Sequence, residues 1–454
     1  MMKIVIIGAV AAGTSAAAKA RRNDEEAQII IFEKDVDISY SGCGLPYYIG
    51  GIVKRRDEIV PRNTDYFKRK YNVDIFTRRE VLNIDALGKK LTVKNLITDE
   101  VFLEDFDKLV IATGASAVVP NIPGVDKSNV FYLRNVQSAD RIKDFINKNN
   151  PKKAVIVGSG FIGLEMTENL KELGIDVTIV ELAPQVMPAM DKDMALYIEK
   201  YLIEKDINLV LADSVAAIEG EFPSTKVILS SGNKIETDFV IVAVGIKPNI
   251  KLAQNAGIEI GETGAIKVNK KMLTSTKYIY ACGDCAESYS CLTGQNMYRP
   301  LGSTANKTGR IVGESLNGGS LEFRGILGTG IFKVFDKVIA YTGLSEKEAL
   351  KEGYEIVICH NIKPDKAMYY GGQEMIIKGV ADKNTGRLLG IQIVGTSGVD
   401  KRIDVFVTAI TFGAKAEDLS HLDLAYAPPF STAKDPVMYT GMILENEINR
   451  DKNK

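Results

Sequence analysis

The chain is poor in cysteine, has almost no histidine, carries no surplus of either charge and lacks any apolar run long enough to cross a bilayer. Its five cysteines are odd in number and irregularly spaced over 454 residues. They make no disulfide framework and suit a reducing cytoplasm. Basic and acidic side chains number 57 and 58, a balance that leaves no field for nucleic acid or a membrane surface as the main partner. The nearest thing to a targeting segment is the N-terminus, where a lysine, an apolar run and small residues between Met1 and Ala18 mimic a secretory signal. A buried strand, Lys3 to Ile7, followed by a glycine turn and a helix accounts for the same residues. We prefer the strand, because the pattern recurs in mid-chain. What is present is a globular composition, 45% hydrophobic, with length for roughly two to four domains.

The recurring pattern is strand, glycine turn, helix, strand and acid. Lys3 to Ile7 leads into Gly8-Ala9-Val10-Ala11-Ala12-Gly13, a helix from Ser15 to Arg22, and a strand from Gln28 to Phe32 ending at Glu33. In mid-chain, Lys153 to Val157 leads into Gly158-Ser159-Gly160-Phe161-Ile162-Gly163, a helix to Leu173, and a strand from Asp176 to Val180 ending at Glu181. The second copy is a complete dinucleotide fingerprint: a tight turn, a pyrophosphate on a helix N-terminus, an acid on a ribose hydroxyl. The first copy has Val10 for the middle glycine, and alone it would be an ordinary strand-turn-helix. Each copy closes with a similar strand and glycine turn, Leu109 to Gly114 and Val240 to Gly245. Two such units imply two dinucleotides and hydride transfer between them. Glu181 would accept from a ribose 2′-hydroxyl and repel a 2′-phosphate, so NADH is expected over NADPH. Its other reading is a solvated carboxylate at a strand end.

After the first copy comes Ser39-Tyr40-Ser41-Gly42-Cys43-Gly44-Leu45-Pro46-Tyr47-Tyr48-Ile49-Gly50-Gly51, with a lone cysteine between glycines. Cys43 is the candidate for the chemistry. Small neighbours leave its sulfur open to a flat cofactor and a substrate, and a helix starting there would favour the thiolate through its dipole. The alternative is a buried structural thiol. Thr274 to Asp284 resembles the segment by which two-dinucleotide-fold flavoprotein disulfide reductases hold the ribityl and pyrophosphate of FAD, with Asp284 the key contact. Within it, Cys282-Gly283-Asp284-Cys285 could pass for a thioredoxin-type pair, but Asp284 already has a use and the cysteines need only be small strand-end residues.

Dithiol members of that superfamily carry two neighbouring cysteines; here Tyr48 stands at the second position. A single thiol cycles through a sulfenic acid or a mixed disulfide. Ser39-Tyr40-x-x-Cys43-x-x-Pro46-Tyr47-x-x-Gly50 resembles the signature of coenzyme A disulfide reductases, the single-cysteine branch of the FAD-dependent pyridine nucleotide-disulfide oxidoreductases. The resemblance extends over the chain, including Pro300 to Lys307 and Tyr426 to Ser431. Related NADH oxidases and peroxidases usually carry a histidine in the first glycine turn. Here that position is Ala11, and His360 and His421 lie far away in sequence, which speaks against a peroxidase before it speaks against a dedicated oxidase.

The resemblance implies an α/β fold of two Rossmann-like, glutathione-reductase-like domains and an α+β C-terminal dimerisation domain. The expected boundaries are 1–119 and 251–322 for the FAD domain, 120–250 for the NADH domain and 323–454 for the dimerisation domain. Beyond Phe323, apolar segments at Gly330 to Val334, Glu374 to Val380 and Leu388 to Val394, then a helix from Asp400 to Phe412, suit a sheet with a helix. Further cofactor contacts are implied at Ala12, Lys34, Val81, Thr113, Gly114, Gly245 and Thr304. Coenzyme A contacts are implied at Ser15, Lys19, Arg22, Ser39, Gly42, Asn306 and, from the partner subunit of a homodimer, Lys434. Gly42 stands where an asparagine is common. Cations near the first helix (Lys19, Arg21, Arg22) and at Lys68, Arg69 and Lys70 could meet the phosphates, or could be a solvated face. Tyr369-Tyr370 and Tyr426 match tyrosines that reach the other subunit's site, as proton donors or as interface packing. The chain ends at Lys454 without the sulfur-transfer domain that many persulfide-reducing relatives append. The expected activity is NADH-driven reduction of coenzyme A disulfide through a mixed disulfide at Cys43. Persulfide or polysulfide reduction, an oxidase, and an electron-transfer flavoprotein are the alternatives.

Overall fold

Each copy of the repeated pattern builds a five-stranded parallel sheet in the computed structural model, which describes residues 1–452. In the first, the order is Ile279–Ala281, Lys108–Ile111, Lys3–Ile7, Gln28–Phe32 and Asp74–Phe76, with Ile6 level with Ile31 and Val110. In the second it is Asn208–Leu211, Asp176–Glu181, Lys153–Val157, Phe239–Val242 and Val130–Phe131, with Ile156 level with Ile179 and Ile241. The central strands are apolar on both faces because both faces are covered, as a parallel sheet requires. The N-terminal apolar run is therefore a core strand. Each unit also carries a three-stranded antiparallel sheet: Arg79–Asp85, Lys90–Asn95 and Val101–Asp105 in one, Val215–Glu219, Thr225–Leu229 and Lys234–Thr237 in the other. Two antiparallel segments, Ala115–Ala117 and Ile246–Pro248, join the units.

The first helix runs Ala11–Asn23, starting a turn earlier than Ser15, and its alanines pack against the helix Gly302–Ser315. Close approach is why glycines recur there. A Cβ on Gly309 would lie 2.3 Å from the Ala12 carbonyl oxygen, and one on Gly313 would lie 2.6 Å from that of Ala16.

The C-terminal sheet is five-stranded and antiparallel, in the order Gly330–Val334, Lys337–Gly343, Leu388–Gly395, Glu374–Asp382 and Ile356–Pro364. The helices Val399–Thr411 and Pro436–Lys452 complete this region. Two strands, Lys337–Gly343 and Ile356–Pro364, have no clean apolar signal because polar residues interrupt them. Lys378, in the middle of an apolar strand, ties this region to the second nucleotide unit. It is 1% exposed, with Nζ 2.7 Å from Glu346, 2.8 Å from Asp193 and 3.2 Å from Asp191. No helix among the described residues is long and apolar enough to cross a membrane.

Candidate functional site

The two glycine turns are built alike. Gly8 and Gly158 hold φ of +106° and +102°, where only glycine is unstrained, and a Cβ on either would run into the closing strand at Ala112 or Ala243. Gly13 and Gly163 bring each helix against its own turn: a Cβ there would sit 1.9 Å from the Gly8 oxygen or 2.1 Å from the Gly158 oxygen. By contrast, a Cβ on Gly160 or on Gly245 meets no protein atom within 4 Å. Those glycines face open space that a dinucleotide can enter. Gly114, the counterpart of Gly245, has Arg134 Nη2 3.5 Å from the same point.

The strand-end acids close the turns. Glu33 Oε2 accepts from the Ala9 N–H at 2.8 Å and Oε1 from the Asp35 N–H at 2.9 Å; burial pushes its pKa up against those two amides. Glu181 Oε2 accepts from the Ser159 N–H at 2.8 Å and hydroxyl at 2.7 Å, and Oε1 from the Ala183 N–H at 2.8 Å. Both are buried, so Glu181 is not a solvated strand-end carboxylate. Lys34 beside Glu33 is exposed, whereas Val81 is buried in the Arg79–Asp85 strand. The hydroxyl of Thr113 donates to the Asn249 carbonyl at 2.7 Å, next to the paired segments Ala115–Ala117 and Ile246–Pro248.

Cys43 sits in a short 3₁₀ turn, Gly42–Gly44, that runs directly into the helix Leu45–Ile49. The Ser39 N–H bonds the Ala9 oxygen at 2.9 Å, holding this stretch against the first glycine turn. Cys43 is exposed, and a Cβ on Gly42 would find only Tyr40, at 3.9 Å. The expected thiolate-favouring dipole does not decide its pKa. Partial burial, then the negative fields of Glu165 and Asp284, push the thiol up, and Arg134 only partly offsets them. A five-residue helix preceded by a tight turn has little dipole to set against two carboxylates.

Two groups around Cys43 escaped the sequence reading. Glu165, two residues past Gly163, has its pKa raised to about 7 by burial, offset in part by the Tyr47 hydroxyl that donates to it at 3.2 Å. Its spacing from the fingerprint was the available signal. Arg134 had none: it lies just before the helix Val136–Asn149 and pairs with Asp284 at 2.9 Å while its Nε donates to the Ala115 oxygen at 2.7 Å. Asp284 also anchors this edge through its backbone oxygen, which accepts from the Tyr298 hydroxyl at 2.8 Å. The Cys282–Cys285 segment holds two buried free thiols, Cys285 Sγ donating to Ile111 and Cys282 oxygens. Both are 0% exposed, so neither presents an accessible thiol.

Ser15 and Asn306 meet at 2.7 Å between the two packed helices, and Thr304 is buried on the second of them. Lys19 is paired with Glu314 at 2.7 Å, and Arg22 lies over the Tyr71 ring at 5.8 Å. Arg21 is not a free phosphate ligand: its guanidinium is spent on the carbonyls of Tyr71, Asp24, Glu25, Ala27 and Asn72. Lys68 pairs with Asp74 and Lys70 with the Tyr66 hydroxyl. Tyr369, Tyr370 and Tyr426 are 80%, 55% and 55% exposed, and Lys434 is exposed as well, on two loops of the C-terminal region.

Several known proteins are similar to this chain over nearly its whole length. A coenzyme A disulfide reductase of Staphylococcus haemolyticus is 36% identical over 97% of this chain and 99% of its own. A CoA-dependent NAD(P)H sulfur oxidoreductase of Pyrococcus furiosus is 38% identical over 98% of this chain and 99% of its own. The crystal structure of reduced Bacillus anthracis CoADR-RHD superposes with a TM-score of 0.97 at 41% identity, covering 99% of this chain and 81% of that one. Residues 2–306 match the pyridine nucleotide-disulphide oxidoreductase family and residues 330–436 match its dimerisation domain. Two dinucleotide-binding units, a lone accessible thiol beside them and a C-terminal sheet domain thus have one explanation: the chain belongs to the pyridine nucleotide-disulphide oxidoreductase family.

Proposed function

We propose that the chain uses NADH to reduce coenzyme A disulfide, through FAD and the single thiol of Cys43. The observation that carries this is the exposed Cys43 sulfur, set in the field of Asp284 from the first nucleotide unit and Glu165 from the second. The other four cysteines are free, three of them buried and Cys291 partly so. Bound FAD would supply the relay of an electron pair between NADH and the sulfur of Cys43. The open faces of Gly160 and Gly245 and the pinned Glu181 fit NADH. The first glycine turn, Glu33, Asp284 and Thr304 fit FAD.

Cys43 Sγ attacks one sulfur of the disulfide, forming a Cys43–coenzyme A mixed disulfide and expelling one coenzyme A thiolate. That thiolate takes a proton from the hydroxyl of Tyr369 or Tyr426 of the opposing subunit in a homodimer, and the tyrosinate recovers its proton from water. Two electrons then cleave the mixed disulfide and free the second coenzyme A, which takes its proton from water. Cys43 is left as a thiolate and meets the next substrate in that form. A raised pKa makes that thiolate the stronger nucleophile, since nucleophilicity grows with basicity. Ser15, Asn306, Lys19, Arg22, Ser39 and Gly42 hold the substrate nucleotide, with Lys434 of the opposing subunit. The domains divide at 119/120, 250/251 and 322/323, and the enzyme works in the cytoplasm.

Replacing Cys43 by serine leaves FAD absorbance intact and abolishes disulfide reduction, and denaturing mass spectrometry of the isolated protein finds coenzyme A on Cys43. Persistent disulfide turnover in C43S overturns the reading. Unchanged activity after alkylation would point instead to electron transfer to a protein. The similarity to an NAD(P)H coenzyme A polysulfide/persulfide reductase of Pyrococcus horikoshii, 38% identical over 98% of this chain, favours a second substrate class, persulfide or polysulfide. Side-by-side rates with coenzyme A disulfide, coenzyme A persulfide and oxygen rank the three.

A further inference from the structure

Arg402, on the helix Val399–Thr411, is the bulkiest wholly buried side chain among the described residues, 1% exposed. A buried guanidinium is costly unless every N–H finds a partner, and an apolar residue of similar volume often serves a core better. The rest of this helix packs through Val399, Ile403, Phe406 and Ile410. Arg402 points instead at the roots of two loops. Nη2 donates to the Asp365 backbone oxygen at 2.6 Å, to Asp435 Oδ2 at 2.9 Å and to the Ser431 hydroxyl at 3.3 Å; Nε reaches Asp435 Oδ1 at 3.2 Å, and Nη1 the Gly398 oxygen at 3.1 Å.

Asp365 closes the first loop. Its N–H bonds the Gln373 oxygen at 2.9 Å, its Oδ1 accepts from the Gln373 N–H at 2.7 Å, and its Oδ2 accepts from the Ser397 hydroxyl. The chain between those ends carries Tyr369 and Tyr370. Asp435 closes the second loop, accepting from the Ser431 hydroxyl at 2.6 Å and the Val437 N–H at 3.0 Å. Lys434 lies between those ends, and Tyr426 adjoins Ala427, whose oxygen accepts from the Ser431 N–H at 3.1 Å. The loop tips are exposed while their roots are wholly buried: Asp365 is 3% exposed, Asp435 2% and Ser431 0%.

We propose that Arg402 is a positioning residue that locks the two tyrosine loops, 365–373 and 426–435, into one fixed unit for the disulfide half of the reaction. This rests on the reading that Tyr369 and Tyr426 serve the leaving thiolate. A planar, forked guanidinium reaches these partners from three separate nitrogens; a lysine gathers all its donors on one nitrogen and cannot span the same set. Losing the fork frees the loops from each other without touching either nucleotide unit.

The test compares two activities of the FAD-loaded enzyme. Reduction of a small quinone by NADH needs only the nucleotide units, whereas reduction of coenzyme A disulfide needs the loops. R402K is expected to lower kcat for the disulfide tenfold or more, with KM for NADH, FAD content and quinone turnover within twofold of the parent. In a Y369F/Y426F background, R402K is expected to cost less than twofold more. Should R402K fail to fold, S397A and S431A each remove one hydroxyl from the same roots, and each is expected to lower disulfide kcat two- to fivefold with quinone turnover unchanged. Equal losses of both activities, or a loss that adds in full to that of Y369F/Y426F, overturn the proposal. Undiminished disulfide turnover in Y369F/Y426F itself overturns the tyrosine reading and the proposal with it, so the two failures are told apart.

Discussion

The two nucleotide units reach the same backbone turn from unequal sequences. Residues 8–13 and 158–163 share a first and a third glycine, and in both units those glycines are demanded by the protein's own packing: positive φ at Gly8 and Gly158, backbone contact at Gly13 and Gly163. The middle position differs. Val10 sits there in the first unit at φ −96° and ψ −119°, and Gly160 in the second at φ −73° and ψ −172°, with no protein atom near its missing Cβ. Glycine is free to vary at that position as far as the fold is concerned. Its presence in the second unit is a statement about the ligand. The motif therefore mixes two kinds of constraint that a pattern of letters cannot separate: two glycines make the turn and one makes room.

Substitution at the outer glycines breaks the units one at a time and gives the largest effects. In G13A or G163A a methyl group is driven into a carbonyl oxygen of its own turn, at a cost of about 3 kcal/mol or more. G13A is expected to lose FAD and melt well below the parent. G163A is expected to keep the flavin spectrum while NADH no longer reduces it. Loss of FAD in both variants would mean that the units do not fail separately.

The middle position sharpens the comparison. G160V copies the first unit's residue into the second, and because the site is empty of protein the melting temperature should hold. KM for NADH is expected to rise about tenfold or more, roughly 1.4 kcal/mol of binding. A drop in stability with unchanged KM would show that the space at Gly160 serves folding. A milder effect is expected at the acid. E181Q keeps most of the turn's hydrogen bonds but removes the charge proposed to repel a 2′-phosphate, so a preference for NADH over NADPH should shrink about tenfold, again near 1.4 kcal/mol. An unaltered preference would assign Glu181 to holding Ser159 and nothing more.

Most of this architecture could be read from the chain because parallel sheets announce themselves in apolar runs followed by glycine turns. Lys3–Ile7 and Lys153–Val157 are legible for that reason, and so is the lone thiol at Cys43, which local letters single out. Groups brought in from a distance are not. Arg134 reaches Asp284 across 150 positions of sequence. Lys378 looks like an error in an apolar strand until Asp191, Asp193 and Glu346 are placed around it. Arg21 and Arg22 are adjacent on one helix, and only tertiary structure tells which of them is consumed by five backbone carbonyls. The direction of the Cys43 pKa was misjudged for the same reason: the helix after it is visible in sequence, but the carboxylates facing it are not.

Those carboxylates come one from each unit, so Cys43 also reports on how the units meet. Glu165, with a pKa of about 7, is mostly neutral at pH 6 and mostly charged at pH 8. Its charge disfavours the Cys43 thiolate, so the thiolate fraction lags behind what the thiol alone would give as pH rises from 6 to 8. E165Q removes that charge and is expected to move the alkylation profile of the reduced enzyme to lower pH. Because Glu165 stands second to burial and shares its role with Asp284, the effect is modest: about threefold faster reaction with iodoacetamide at pH 8. At pH 6, where Glu165 is already neutral, variant and parent should react alike. Equal rates at both pH values would mean that the second unit exerts no field at the thiol. Equal acceleration at both would mean that the substitution acts by opening the site and not by its charge.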